Sequence, residues 1–139
     1  MEDQSQEKMQ EIYMELQMVN QHLKQLHSQQ EMIGQQTMEI QGAIQGLDEF
    51  SKTSDGSEIL LPLSSGIFIK AKVANTKKLL MNVGAGVCVS KDLAGAKGIM
   101  ARQLEDSKTL SDKIDFQLQR FAKKAQILQH QLQAMLPRE

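Results

Sequence analysis

This sequence predicts an α+β fold: a long antiparallel coiled-coil hairpin of two helices, with two β-hairpins inserted between them. Three observations carry that expectation. Apolar residues recur at alternating steps of three and four near each end of the chain. The first run is Met9, Ile12, Leu16, Val19, Leu23, Leu26, Ile33, Ile40, Ile44 and Leu47, and the second is Met100, Leu104, Ile114, Leu118, Phe121, Ala125, Leu128, Leu132 and Met135. A mean step of ~3.5 residues holds an apolar stripe on one side of a gently supercoiled helix. Between the runs lies a short stretch that reads as strands separated by glycine turns. The 139 residues include no Trp, one Tyr and four Phe, so burial is expected along an aliphatic seam.

The first helix is expected over 4–50, about 70 Å at 1.5 Å per residue. With Met9 at position a, only Gln30 and Thr37 interrupt the seam with polar groups. Gly34, Gly42 and Gly46 each weaken the helix by about 1 kcal/mol relative to Ala, but none falls on the seam. Residues 51–57 form a loop rich in Ser, Thr, Asp and Gly.

Four strands are expected within 58–90. Glu58–Leu63 is apolar between its ends, although Pro62, lacking an N–H, points to an edge or a bulge. Ile67–Ala74 alternates, with Ile67, Ile69, Ala71 and Val73 on one face and Lys70 and Lys72 on the other. Lys78–Val83 and Val87–Ser90 follow. Ser64-Ser65-Gly66 and Gly84-Ala85-Gly86 are the turn signals. The latter also begins a dinucleotide-binding fingerprint. Its third glycine position is Val89, however, and strand-like residues follow where a helix should start, so the turn reading is preferred. The second helix is expected over 92–136, starting somewhere between Ser90 and Met100, with Asp92 as N-cap and Pro137 closing it. Ser107 and Ser111 fall on its seam. Length makes the whole chain, 1–139, one domain.

A net charge of −1 argues against a nucleic-acid or anionic-membrane surface, both of which need a basic excess. No signal segment or membrane-length apolar run occurs, and the lone Cys88 fits a reducing compartment, so a cytoplasmic protein is expected. His22, His27 and His130 have no partners at ligand spacing, which predicts no metal and no cofactor. Cys88 has no His within the β segment to activate it, and no base, nucleophile and oxyanion group converge on one element. Enzyme chemistry is therefore not expected.

So short a β segment cannot close its own sheet, because isolated hairpins are marginal and small cores lack area. Pooling hairpins from several chains into a barrel-like body would bury the apolar faces and remove the open edges. The expected inter-chain face comprises Ile59, Leu61, Leu63, Ile67, Ile69, Val73, Leu79, Met81, Val83 and Val87.

The runs Ile59-Leu60-Leu61-Pro62-Leu63-Ser64-Ser65, Lys72-Val73-Ala74 and Leu79-Leu80-Met81-Asn82-Val83-Gly84-Ala85-Gly86-Val87 resemble the hairpin region of prefoldin alpha-class subunits of archaeal type. The layout is similar over essentially the whole chain, and two hairpins rather than one favour the alpha over the beta class. The sequence departs from the family pattern at Ala71, commonly Gly, at Asn82, commonly acidic, and at Val87 or Cys88, where an aromatic is usual. The resemblance implies a hexamer of two alpha and four beta subunits that holds unfolded polypeptide clients at its arm tips. It also implies transfer to a group II chaperonin, without nucleotide or catalysis.

Within that expectation, the sharpest signal is apolar residues off the seam near the tip. Met14, Met18, Phe116 and Ile127 occupy f or c positions and Leu136 an e position, where a solitary hairpin should be polar. Methionine adapts to irregular surfaces, as capture of diverse chains requires. The expected client site is Met9, Tyr13, Met14, Met18, Ile127, Leu132, Met135 and Leu136; Phe116 lies farther down the arm. The bland alternatives are scattered surface hydrophobes, or frayed helix ends that shift the register. At the level of function, the rival is a structural coiled-coil tether or adaptor docking one folded partner.

Overall fold

A computed structural model describes residues 2–136, with side chains from residue 3. The element order is α1 (Glu2–Phe50), β1 (Glu58–Ser64), β2 (Ile67–Lys72), β3 (Leu79–Gly84), β4 (Val87–Lys91) and α2 (Leu93–Met135). Two long helices with two small antiparallel β-hairpins between them is the architecture expected from the sequence. The closing role expected of Pro137 lies outside the described residues. The chain divides into two compact units, one of residues up to Gln36 with those from Ser107, the other Thr37–Asp106.

In the first unit the helices pack antiparallel. Ile12, Leu16 and Val19 of α1 cluster with Ala125 and Leu128 of α2, flanked by Leu23, Phe121, Leu132 and Met135. A second cluster joins Leu26 and Ile33 to Ile114, with Leu118 and Phe121 against it. From residue 3 to residue 47 of α1, the partly or fully buried positions are those of the heptad seam and no others. That is the burial a 3.5-residue repeat imposes.

The polar interruption at Gln30 is accommodated by pairing. The Gln30 amide donates to a carboxylate oxygen of Asp115 on the facing helix. Asp115 stands beside the α2 seam at an e position, close enough to reach a seam amide. The ring of His22 lies 4.4 Å from that of Phe121, centroid to centroid, tilted by 35°. Lys124 and Glu15 form an exposed ion pair at 3.2 Å.

In the second unit, β1 pairs with β2 and β3 with β4, giving two separate two-stranded antiparallel sheets. Both hairpins use one design. Pairing runs Pro62↔Phe68 then Ser64↔Ile67, and Asn82↔Cys88 then Gly84↔Val87, so Leu63 and Val83 are each the extra residue of a β-bulge. Pro62 thus stands next to a bulge, where its missing N–H is tolerated. The turn at Ala85 (φ 51°) and Gly86 (φ 75°) has positive φ at both central residues, the geometry that matches hairpin twist. The strand expected to run on to Ala74 instead ends at Lys72, and Val73 turns to the preceding loop. Its N–H donates to the Ser57 carbonyl (2.9 Å) and its carbonyl accepts from Gly56 (2.7 Å).

Asp92 caps α2 through a 2.7 Å hydrogen bond from the Gly95 N–H to its carboxylate. A Cβ at Gly95 would stand 2.7 Å from that same oxygen. A side chain at Gly95 would therefore require the Asp92 carboxylate to shift from this position. Lys97 reaches Asp48 at 2.8 Å, tying the start of α2 to the end of α1.

Candidate functional site

The expected client-site residues divide by heptad position. Leu132 and Met135 are seam residues packed against the Ile12–Leu16–Val19 cluster, and Met9 is half-buried on the same seam. Tyr13, Met14, Met18, Ile127 and Leu136 are exposed, with Met18 at 70% of its full accessibility. Their e, c and f positions place Tyr13 and Leu136 beside the seam, and Met14, Met18 and Ile127 on faces turned away from the partner helix. The packing therefore gathers the seam subset into one cluster, while the off-seam subset covers outward faces rather than a single pocket.

Three further exposed apolar residues extend the outward set. Met32, like Met18, is at a c position, two heptads or ~21 Å further along the helix. Met38 and Leu110 are also exposed. Met32 lies on the same heptad register as the tip residues, but far from the helix ends where off-seam apolar residues were expected. Met32 and Leu110 flank a shallow groove of ≈ 400 Å³ floored by Ile33 and Ile114 and edged by Gln29, Gln36 and Gln117.

On the hairpins, register assigns each side chain to a face. Ile59↔Ala71 and Leu61↔Ile69 are opposite pairs, so these four share one wholly apolar face, joined at its end by Ile67. Leu60↔Lys70, Pro62↔Phe68 and Glu58↔Lys72 occupy the other. Of the residues expected to meet neighbouring chains, Leu61, Leu63, Ile67, Ile69, Val83 and Val87 are exposed in the single chain. Ile59, Leu79 and Met81 are half-buried. Val73, at 6% exposure, is already buried within its own chain, and its backbone is hydrogen-bonded to the loop before β1. Leu79 and Met81 also line an open apolar groove of ≈ 430 Å³ with Leu47, Phe50, Ala96 and Met100.

Among the described residues, no three or more His, Cys, Asp or Glu are grouped to hold a metal ion. No helix among them is long and apolar enough to cross a membrane. Cys88 is exposed on β4.

Comparison with known proteins agrees with this architecture. A family model described as "Prefoldin subunit" matches residues 19–137. Prefoldin subunit alpha of Methanococcus aeolicus is 32% identical over 127 residues, 91% of this chain and 86% of that protein. Prefoldin subunit alpha of Thermofilum pendens is 31% identical over 112 residues, 79% and 83% of the two chains. Among solved structures, a filamentous PFD from Methanocaldococcus jannaschii superposes with a TM-score of 0.72, covering 81% of this chain and 93% of that one. At 13% identity, that likeness concerns the fold alone. The heptad helices, the twin bulged hairpins and the identity shared along most of the chain have one common explanation: this chain belongs to the prefoldin family, as an alpha-class subunit.

Proposed function

We propose that this chain is the alpha subunit of an ATP-independent holdase, capturing unfolded polypeptides on the apolar outer surface of its helical hairpin and passing them to a group II chaperonin. The family is one of chaperones built from several subunits. The finer assignment is a hexamer of two alpha and four beta subunits in the cytoplasm. Its shared body buries the apolar hairpin face around Ile59, Leu61, Ile67 and Ile69.

The observation that carries the reading is Met14 and Met18, large and flexible side chains left in water on a helix whose seam is otherwise well sorted. Exposing them costs solvation free energy with no return to the fold, which is understandable if a transient partner covers them. Ile127 and Leu136 add apolar area on α2, and Tyr13 adds an aromatic beside the seam. Single contacts of this kind are weak, and several arms around one client raise the effective affinity by avidity.

The test is suppression of aggregation of a chemically denatured protein, without ATP, by the assembled complex. Replacing Met14, Met18 and Ile127 together by Ser should abolish most of the holding activity. Helicity and thermal midpoint should stay close to the parent, because none of the three touches the seam. Full activity in that variant would refute capture on this surface. A tether docking one folded partner would show no general suppression even in the parent.

A further inference from the structure

The hairpin segment differs from the rest of the chain in charge. Residues 58–91 hold Lys70, Lys72, Lys77, Lys78 and Lys91 against the single acid Glu58, in a chain whose net charge is −1. All five lysines are exposed, and none is in an ion pair among the described residues. Two of them, Lys70 and Lys72, stand side by side on one face of the first hairpin. That face also carries Glu58 opposite Lys72, so it keeps a net positive charge from Lys70, together with Leu60 at 64% exposure, Phe68 at 59% and Pro62.

We propose that this second face of the first hairpin, formed by Leu60, Phe68, Lys70 and Lys72, is a docking surface for an acidic polypeptide segment bearing large apolar side chains. The inference rests on the proposed assembly, in which the opposite face, with Ile59, Leu61, Ile69 and Ala71, turns into the shared sheet. A two-stranded ribbon has only two faces, so closing one against neighbouring subunits leaves the other outward.

Lysines also protect open sheet edges from mispairing, a role that asks only for charge. Here that role does not account for the face, because Leu60, Pro62 and Phe68 make it apolar beside the lysines. Charge complementarity selects an acidic ligand, and the apolar side chains select one with hydrophobic residues of its own. Both features favour a polypeptide over a nucleic acid. The latter calls for a broad basic field with phosphate contacts along it, and the chain as a whole is slightly acidic.

Fluorescence anisotropy tests this with the full-length chain and a labelled peptide of alternating Asp, Phe, Glu and Leu residues. Equal-length polyglutamate and a single-stranded oligonucleotide serve as comparison probes. The mixed peptide should bind most tightly and weaken with added salt, since rim charges are screened. The charge reversal K70E/K72E should weaken it by about tenfold. Leu60→Ser with Phe68→Ser should lower affinity for the mixed peptide while leaving polyglutamate unchanged. Should the reversed variant lose its circular-dichroism signature, K70Q/K72Q replaces it and should remove most of the salt-dependent binding.

Undiminished affinity in a folded Lys70/Lys72 variant, or tighter binding of the oligonucleotide than of the peptide, would overturn the proposal. Light scattering after mixing with a beta subunit separates the two readings. Failure of the parent chain to assemble sinks the assembly itself, whereas normal assembly with undiminished peptide binding by K70E/K72E sinks only this face.

Discussion

Ala85 is the described non-glycine residue with positive φ, at 51°, in the first central position of the β3–β4 turn. A Cβ in that conformation costs about 1–2 kcal/mol, a cost asparagine offsets with its own local hydrogen bonds. Ala85→Asn creates the Asn-Gly pair preferred in two-residue hairpins and should stabilise the second unit by about 1 kcal/mol. A higher urea midpoint at unchanged slope would show it, and a lower midpoint would mean that Ala85 has a packing role the turn geometry does not reveal. From the sequence, Gly84-Ala85-Gly86 was legible as a turn. Which of its residues bears strain was not, because that depends on loop length and on the bulge at Val83, both set by register. Gly95 teaches a related lesson. The sequence left the start of α2 open between Ser90 and Met100, and the place of Gly95 beside the Asp92 cap appears only once the carboxylate is seen 2.7 Å from its N–H.

At the scale of elements, the first helix was legible almost residue by residue, since burial on a heptad helix follows from spacing alone. Its partner for Gln30 was not. Asp115 lies outside the α2 seam, and 85 residues separate the two, so nothing local couples them. The pair also suggests how the two helices find their alignment, because an apolar seam repeating every seven residues tolerates slippage and a specific, partly buried polar contact does not. Asp115→Ala leaves a seam amide without its partner and should cost about 1–3 kcal/mol. Adding Gln30→Leu should recover most of that loss by making the layer apolar. Denaturation of the two variants in parallel decides the matter: a double variant no more stable than the single one would mean that the pair does not set the cost. The hairpins were legible as elements too, although Val73, assigned to the second strand, hydrogen-bonds instead to the loop before β1.

For the whole molecule, the decisive quantity is how much apolar sheet surface one chain leaves uncovered. Ile69 is 41% exposed here, on a face that also holds Ile59, Leu61 and Ile67. Under the proposed assembly, Ile69→Asp should cost the single chain little and the complex several kcal/mol, the penalty for a charge placed in an apolar interface. Size-exclusion with light scattering should show subunits in place of hexamers, with helical circular dichroism nearly intact. Persistence of the hexamer would remove this face from the interface.

The sequence by itself determined the two heptad helices, the four strands, the turn positions and the resemblance that the comparisons bear out. These follow from short-range periodicity and backbone stereochemistry, which are written locally. The tertiary structure alone decided how strand residues pair across each hairpin, that Asp115 answers Gln30, and that Val73 is covered within its own chain. It also showed that the first hairpin presents one wholly apolar face and one mixed with lysine. The physical reason is that facing depends on register between segments distant in the chain, and register is a property of pairing that no single segment contains.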